Sequence, residues 1–188
     1  MKKFFIATIA AICTLGASAQ TFWDGETAEK KFTLGVRAGL NIADMSGDDV
    51  DAKSKANFHA GISADWNIVN SFSVNSGIFY TGKGAKDFSA NFIEIPIYAS
   101  YRLNFAEASQ LQVNFGPYLD FGVGGDAFKD YEDGGIEGKR FQMGLGVGAG
   151  YTFSKFFVGL QYQFGLTDCH EDLNAKYNNF AISVGYNF

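Results

Sequence analysis

The side chains able to do chemistry fall into three groups. His59, Ser63 and Asp65 lie close together and are the residue types of a base, a nucleophile and an orienting carboxylate. Acyl transfer needs those groups in contact beside an oxyanion donor, and no motif here ties a nucleophile to a base. Two acidic clusters offer hard oxygen ligands of the kind calcium takes: Asp44, Asp48, Asp49 and Asp51, then Asp126, Asp130, Glu132 and Asp133 beside Gly134-Gly135. Neither has the calcium-loop spacing with a closing Glu, so both read as solvated acidic loops. Cys169-His170-Glu171-Asp172 sets ligand types side by side, but adjacent loop side chains do not normally converge on one ion. The third group, Arg37, Asp65, Glu94, Arg102 and Asp120, is scattered along the chain and gains meaning only from the elements that carry it. The expectation is a protein without catalytic residues, cofactor or metal.

Those elements are strands. From Phe32 onward, apolar residues recur at every second position in eight runs, the period of a β-strand. The runs begin at Phe32, Phe58, Phe72, Ile93, Leu111, Phe141, Val158 and Phe180, and in the first three only Ser76 breaks the apolar phase. Each spans about ten residues, the length a tilted strand needs to cross a hydrocarbon layer. Residues 42–57, 82–91, 124–140 and 168–178 form long connections, and 67–71, 104–110 and 153–156 form short ones. This asymmetry is that of an up-and-down membrane barrel with short periplasmic turns, both termini periplasmic and longer external loops.

A soluble barrel would show the same alternation, but with its polar face wetted by bulk solvent. Such a face carries Lys and Glu. Here no Lys falls within the eight runs, and Lys53, Lys55, Lys83, Lys129, Lys139, Lys155 and Lys176 all fall in loops, turns or flanks. The charges inside the runs are Arg37, Asp65, Glu94, Arg102 and Asp120, all on the polar face. That face is otherwise mostly small and polar, including Gly144, Gly146, Gly148 and Gly150 on one strand, as a narrow polar lumen requires. Rings gather at the strand ends: Phe32, Trp66, Phe72, Tyr101, Tyr151 and Phe188 at one level, Phe58, Tyr80, Phe121, Phe141 and Phe180 at the other. Two aromatic girdles mark the two membrane interfaces. The predicted fold is therefore all-β, an eight-stranded antiparallel up-and-down transmembrane β-barrel. The two prolines, Pro96 and Pro117, fall almost opposite each other on runs four and five, where their missing donors predict a shared bulge.

The N-terminus sets the compartment. Lys2 and Lys3 precede an apolar run from Phe4 to Leu15, and Ala17-Ser18-Ala19 supplies a signal-peptidase site. Ile12 before Cys13 does not fit a lipoprotein site. Residues 1–19 are read as a cleaved signal peptide, 20–31 as a flexible periplasmic extension and 32–188 as the barrel. Removing Lys2 and Lys3 takes the formal charge from −5 to −7, which leaves no basic footprint for nucleic acid.

Ile93-Glu94-Ile95-Pro96-Ile97 followed by Tyr101-Arg102 resembles the PorT-like family of outer-membrane β-barrels, which carry an outer membrane protein β-barrel domain. Gly116-Pro117-Tyr118, Gly148-Ala149-Gly150-Tyr151, Tyr162-Gln163-Phe164-Gly165-Leu166-Thr167 and the closing Gly185-Tyr186-Asn187-Phe188 extend the resemblance over most of residues 32–188. The resemblance implies an integral protein of the outer membrane of a Gram-negative bacterium, in contact with its lipid. It also implies that Phe188 is read by the barrel-assembly machinery. The family's functions are diverse, and one branch takes part in a secretion and gliding system. The leading reading is a structural or binding barrel acting through its external loops, with an external protein or glycan as partner. A narrow passive porin-like channel comes second, and a small membrane-barrel enzyme or secretion-system component third. Inside, Arg37, Asp65, Glu94, Arg102 and Asp120 are expected to pair in one polar network, because unpaired buried charge is costly. Tyr98, Tyr118 and Phe79 are expected to fill the space opposite the glycines of the sixth run.

Overall fold

A strand whose two faces differ in polarity is satisfied in lipid only if the sheet closes, because hydrocarbon offers its edge no hydrogen-bond partner. The computed structural model describes residues 23–47, 54–85, 88–106, 108–128, 139–168 and 175–188. It contains eight strands: β1 (Phe32–Gly47), β2 (Lys55–Val69), β3 (Phe72–Ala85), β4 (Phe88–Ala106), β5 (Ser109–Gly124), β6 (Phe141–Phe153), β7 (Phe156–Gly165) and β8 (Ala175–Asn187). Each pairs antiparallel with its sequence neighbour, and β8 pairs with β1 to close the barrel. The eight-stranded transmembrane fold read from the alternation is the observed one. The signal peptide, residues 1–19, lies outside the described residues.

Polarity is inverted relative to a soluble barrel. Ile62 and Ile78, on the outside, are each 61% exposed, whereas Ser73 and Ser100, facing inward, are fully buried. Outward rings pair across neighbouring strands at both ends. Phe32 stacks on Trp66 and Phe156 meets Tyr186 at the end of the tight turns. Phe58 meets Tyr80 and Phe121 meets Phe141 at the end of the long connections. Cross-strand ring pairs of this kind stabilise the sheet, and their amphipathic positions suit a lipid–water boundary.

Three expectations need correction. The connection expected at 82–91 does not exist in that form: β3 runs to Ala85, β4 begins at Phe88, and Lys83 pairs with Ala90 inside the ladder. Lys83 is therefore a strand residue, and the eight strands are not free of lysine. The shared proline bulge is also absent. Pro96 stands opposite Tyr118 and Ala99 opposite Phe115, so the β4–β5 register passes the prolines unshifted, and the irregularities fall at Asn91/Phe92 and Asn104/Ala106. The sheet absorbs the missing donors with a local gap in each ladder, between Ser76/Ile97 and Phe79/Glu94 in β3–β4 and between Pro96/Tyr118 and Ala99/Phe115 in β4–β5. Ser76, the polar interruption of the outward phase of β3, donates to the Pro96 carbonyl at 2.8 Å and covers part of the β3–β4 gap. Finally, residues 23–31 are tied to the β2–β3 turn and are not a free extension. The amides of Asn67, Asn70 and Ser71 donate to the carbonyls of Lys31, Glu26 and Asp24, and Trp23 stacks on Tyr101.

Candidate functional site

The lumen is filled in layers, beginning at the end of the long connections. There the inward phase of β4 and β8 delivers Ala90, Phe92, Ala175 and Tyr177, and a 3-10 turn, Asp126–Phe128, adds Ala127 and Phe128 to form an apolar plug. Phe92 meets Phe128 edge-on at 5.6 Å and Tyr177 at 6.0 Å. Gly125, at φ 116°, turns the chain back over the mouth against the Ser89 carbonyl, a conformation that favours glycine. Ser89 holds the turn by donating to the Asp126 carboxylate at 2.8 Å, and Arg140 donates to the Phe128 carbonyl.

Beneath the plug lies a charged knot contributed by three consecutive strands. Lys83 Nζ of β3 is 2.7 Å from Asp120 Oδ2 of β5 and 2.9 Å from Glu94 Oε2 of β4, with the Tyr118 ring 4.4 Å away. Glu94 and Asp120 stand opposite each other in the ladder, so the two carboxylates would repel without the cation between them. Lys83 is only 1% exposed, and no bulk water screens this knot. Glu94 Oε1 also accepts from Gln163 on the far wall at 2.8 Å, and Asn179 donates to Gln163 at 3.0 Å.

The middle layer has a hydrogen-bond relay. Asn41 donates its amide hydrogens to Thr81 and to the Gly82 carbonyl, which leaves Asn41 Oδ1 facing His59 Nδ1 at 2.7 Å. Oδ1 can only accept, so His59 Nδ1 carries the hydrogen, and in the neutral ring Nε2 accepts the Ser183 hydroxyl at 2.8 Å. This order, serine to histidine to asparagine, has the polarity of an acyl-transfer relay. The adjoining cavity, lined by Arg37, Glu94, Tyr98 and Gln161 among others, measures about 50 Å³. That volume holds a few water molecules and has no room for an acyl group with its leaving group. The relay orders the lumen.

Toward the tight turns, Arg37 Nη2 lies 3.6 Å from Asp65 Oδ2, and its guanidinium sits 3.9 Å over the Phe157 ring. Asn75 donates to Asp65 Oδ1. Arg102 donates to Asn67 and to the Val69 carbonyl. A vestibule of about 700 Å³ opens beyond it. The inward rings fit because their neighbours lack side chains. A methyl group on Gly144 or Gly146 would strike the ring of Tyr118 or Tyr98, and one on Gly150 or Gly159 would strike Phe157.

An inverted, closed barrel with a polar, self-filled lumen is the architecture of an outer-membrane protein. The sequence agrees: the family described as outer membrane protein beta-barrel domain matches residues 7–188. The chain belongs to this family. No curated protein matches the sequence. Among solved structures, the outer-membrane-barrel likeness extends to neisserial surface protein A, at 16% identity and TM-score 0.52 over 82% of this chain and 97% of that one. OprG from Pseudomonas aeruginosa matches at 10% identity and TM-score 0.50, covering 90% and 99% of the two chains. Ail of Yersinia pestis, solved with the heparin analogue sucrose octasulfate, matches at 17% identity and TM-score 0.49 over 85% and 100%. At these identities the likeness is one of fold.

Within this outer-membrane barrel the sequence-derived residues separate. Arg37 stands beside Asp65, and Glu94 beside Asp120, whereas Arg102, near the turns, makes no ion pair among the described residues and donates instead to Asn67 and the Val69 carbonyl. His59, Ser63 and Asp65 do not form a unit: His59 binds Asn41 and Ser183, and Asp65 binds Asn75. Tyr98 and Tyr118 lie over the β6 glycines, but Phe79 lies over Gly61 and Gly77 of β2 and β3. Asp48, Asp49, Asp51, Asp130, Glu132, Asp133, Gly134, Gly135 and the segment 169–172 lie outside the described residues. Among the described residues, no three His, Cys, Asp or Glu side chains gather as metal ligands. Sequence reasoning missed Lys83, Ser183, Asn41 and Phe157. Their signal was parity: Lys83 continues the inward phase of Asn75, Phe79 and Thr81, and Phe157 shares the phase of Gln161 and Gln163. Among the described residues, Lys83 joins Arg37 and Arg102 as a buried cation facing Asp65, Glu94 and Asp120, in place of the expected excess of carboxylates.

Proposed function

We propose that this outer-membrane barrel is a closed one with a structural or binding role exercised through its long connections. The observation that supports this is the stacking of the apolar plug directly on the Lys83 knot, with a cavity of only about 50 Å³ below. An ion following the axis would have to displace Phe92 and Phe128 and then break three buried charges apart. Surface loops on a rigid, non-conducting scaffold are what binding requires. In this reading the tight turns and both termini face the periplasm, residues 1–19 are removed as a signal peptide, and Phe188 is read during assembly. The PorT-like relationship rests on the Ile93 to Ile97 strand and the terminal Gly185-Tyr186-Asn187-Phe188. The ligand of the loops is an external protein or glycan.

Planar-bilayer recording of the purified barrel tests the closed state. The expected trace has no steady open level. A stable, ohmic conductance in the wild-type protein would replace this reading with that of a narrow passive channel.

A further inference from the structure

Residues 23–31 carry one large apolar side chain, Trp23, among Asp24, Glu26, Glu29, Lys30 and Lys31. Polar contacts fix the start of this segment. The Asp24 amide donates to Ser71 Oγ at 2.8 Å, Asn70 donates to Asp24 Oδ2 at 3.0 Å, and the Asn70 and Ser71 amides donate to the Glu26 and Asp24 carbonyls. A ring held at this point can turn inward or outward. Asp24 and Lys30 line the vestibule of about 700 Å³, which has ample room for an indole, yet Trp23 is absent from its lining. The indole lies on the outer wall, 6.3 Å from the Tyr101 ring and 10° from parallel. Gly25 permits this, since a methyl group there would sit 3.0 Å from Trp23 Nε1.

That wall faces lipid. Tyr101 belongs to the outward phase of β4, and its ladder partner Val113 is an exposed residue of the same face. Trp23 also repeats the setting of a girdle residue. Trp66, carried by β2 at the same end, stacks on Phe32 at 6.3 Å and 14°, and is 55% exposed against 54% for Trp23. An indole so placed is most stable where headgroups meet acyl chains, because the ring leaves water while its N–H keeps polar partners.

We propose that Trp23 is a membrane anchor, inserted at the headgroup boundary of the leaflet on the tight-turn side, which ties the segment walling the vestibule to phospholipid. The attachment is apolar and does not select anionic lipid, since the segment carries three carboxylates against two lysines. Lifting the segment then requires drawing the indole back into water. The anchor is independent of whether the lumen conducts.

Fluorescence of the full barrel in phosphatidylcholine nanodiscs tests this, because the tryptophans of the chain are Trp23 and Trp66. Trp66→Phe leaves Trp23 as the reporter, and Trp23→Phe leaves Trp66 as the girdle reference. Emission from Trp23 should fall more with phosphatidylcholine brominated near the headgroup than with lipid brominated deep in the acyl chain, in the same order as emission from Trp66. It should also be shielded from acrylamide relative to free N-acetyltryptophanamide, and added phosphatidylglycerol should leave both readings unchanged. If Trp66→Phe does not fold, the wild-type emission less that of Trp23→Phe gives the Trp23 reading. Acrylamide quenching equal to that of the free compound, no loss to brominated lipid, stronger quenching by the deep bromines, or burial that depends on phosphatidylglycerol would overturn the proposal.

Discussion

The two halves of the lumen obey the same strand alternation and end in opposite states. In the half beneath the long connections, Phe92, Phe128 and Tyr177 exclude water, and Lys83 binds two carboxylates at 2.7 and 2.9 Å. In the half above the tight turns, the ion pair from Arg37 to Asp65 is looser, at 3.6 Å, and Arg102 borders a vestibule of about 700 Å³. The difference lies in what the inward positions carry. Large apolar rings seal one mouth, while amides, hydroxyls and long cations leave the other wet. A closed barrel can thus be packed with rings at one end and left open and polar at the other without changing its strand count or register.

The sharpest way to break this comparison is to remove one cation from each half. Lys83→Met leaves Glu94 and Asp120 facing each other with no cation between them, and the cost should be about 3–5 kcal/mol in a detergent-based urea titration. Arg37→Ala leaves Asp65 with Asn75 and with access to the vestibule, and should cost about 1–3 kcal/mol. Adding Glu94→Gln and Asp120→Asn to Lys83→Met should restore most of the loss, because the uncompensated charges are then gone. Equal losses for the two single variants would show that both halves are equally solvated.

The outer surface gives the next effect. Leu160 is exposed on β7, away from both girdles, and Leu160→Arg should cost about 2–4 kcal/mol if it lies at the bilayer midplane. Its charge faces lipid, whereas Arg37 on the inward phase has Asp65 and the Phe157 ring. A mature protein that stays monodisperse in water without detergent would count against the lipid-facing assignment itself.

Most of the architecture could be read from the sequence because period two is a local signal with only two phases. Each of the eight runs has its outward side as read, down to Ser76, whose role as a donor to Pro96 was not legible. Strand ends were less legible. Hydrophobic alternation stops where lipid stops, but ladder hydrogen bonds continue into water, so β3 extends past Tyr80 and carries Lys83 inside. Partners across the lumen could not be read at all. Glu94 meets Gln163 across the barrel, and His59 meets Ser183 across the closing seam, because shear and closure bring them together. A sequence supplies parity along a strand and not the stagger between strands.

The smallest effect separates the wet end from the barrel proper. Trp23 is 54% exposed and stacks on Tyr101 at 6.3 Å, and it anchors a segment whose other ties are hydrogen bonds to the β2–β3 turn. A partly exposed ring pair is worth about 0.5–1.5 kcal/mol, and the segment borders an open cavity with no apolar core beneath it. Trp23→Ala should therefore lower global stability by no more than about 1 kcal/mol. Its effect should be local, since the Asn70 and Ser71 amides donate to Glu26 and Asp24 and lose those acceptors whenever the segment lifts. Hydrogen exchange at those two amides should quicken, while the amides of the Lys83 knot keep their wild-type rates, because local opening and global unfolding are separate events. If Asn70 and Ser71 instead exchange only with the whole barrel, the segment is as integral as a strand. The vestibule would then be a rigid cup, and the contrast between a sealed end and an adaptable one would no longer hold.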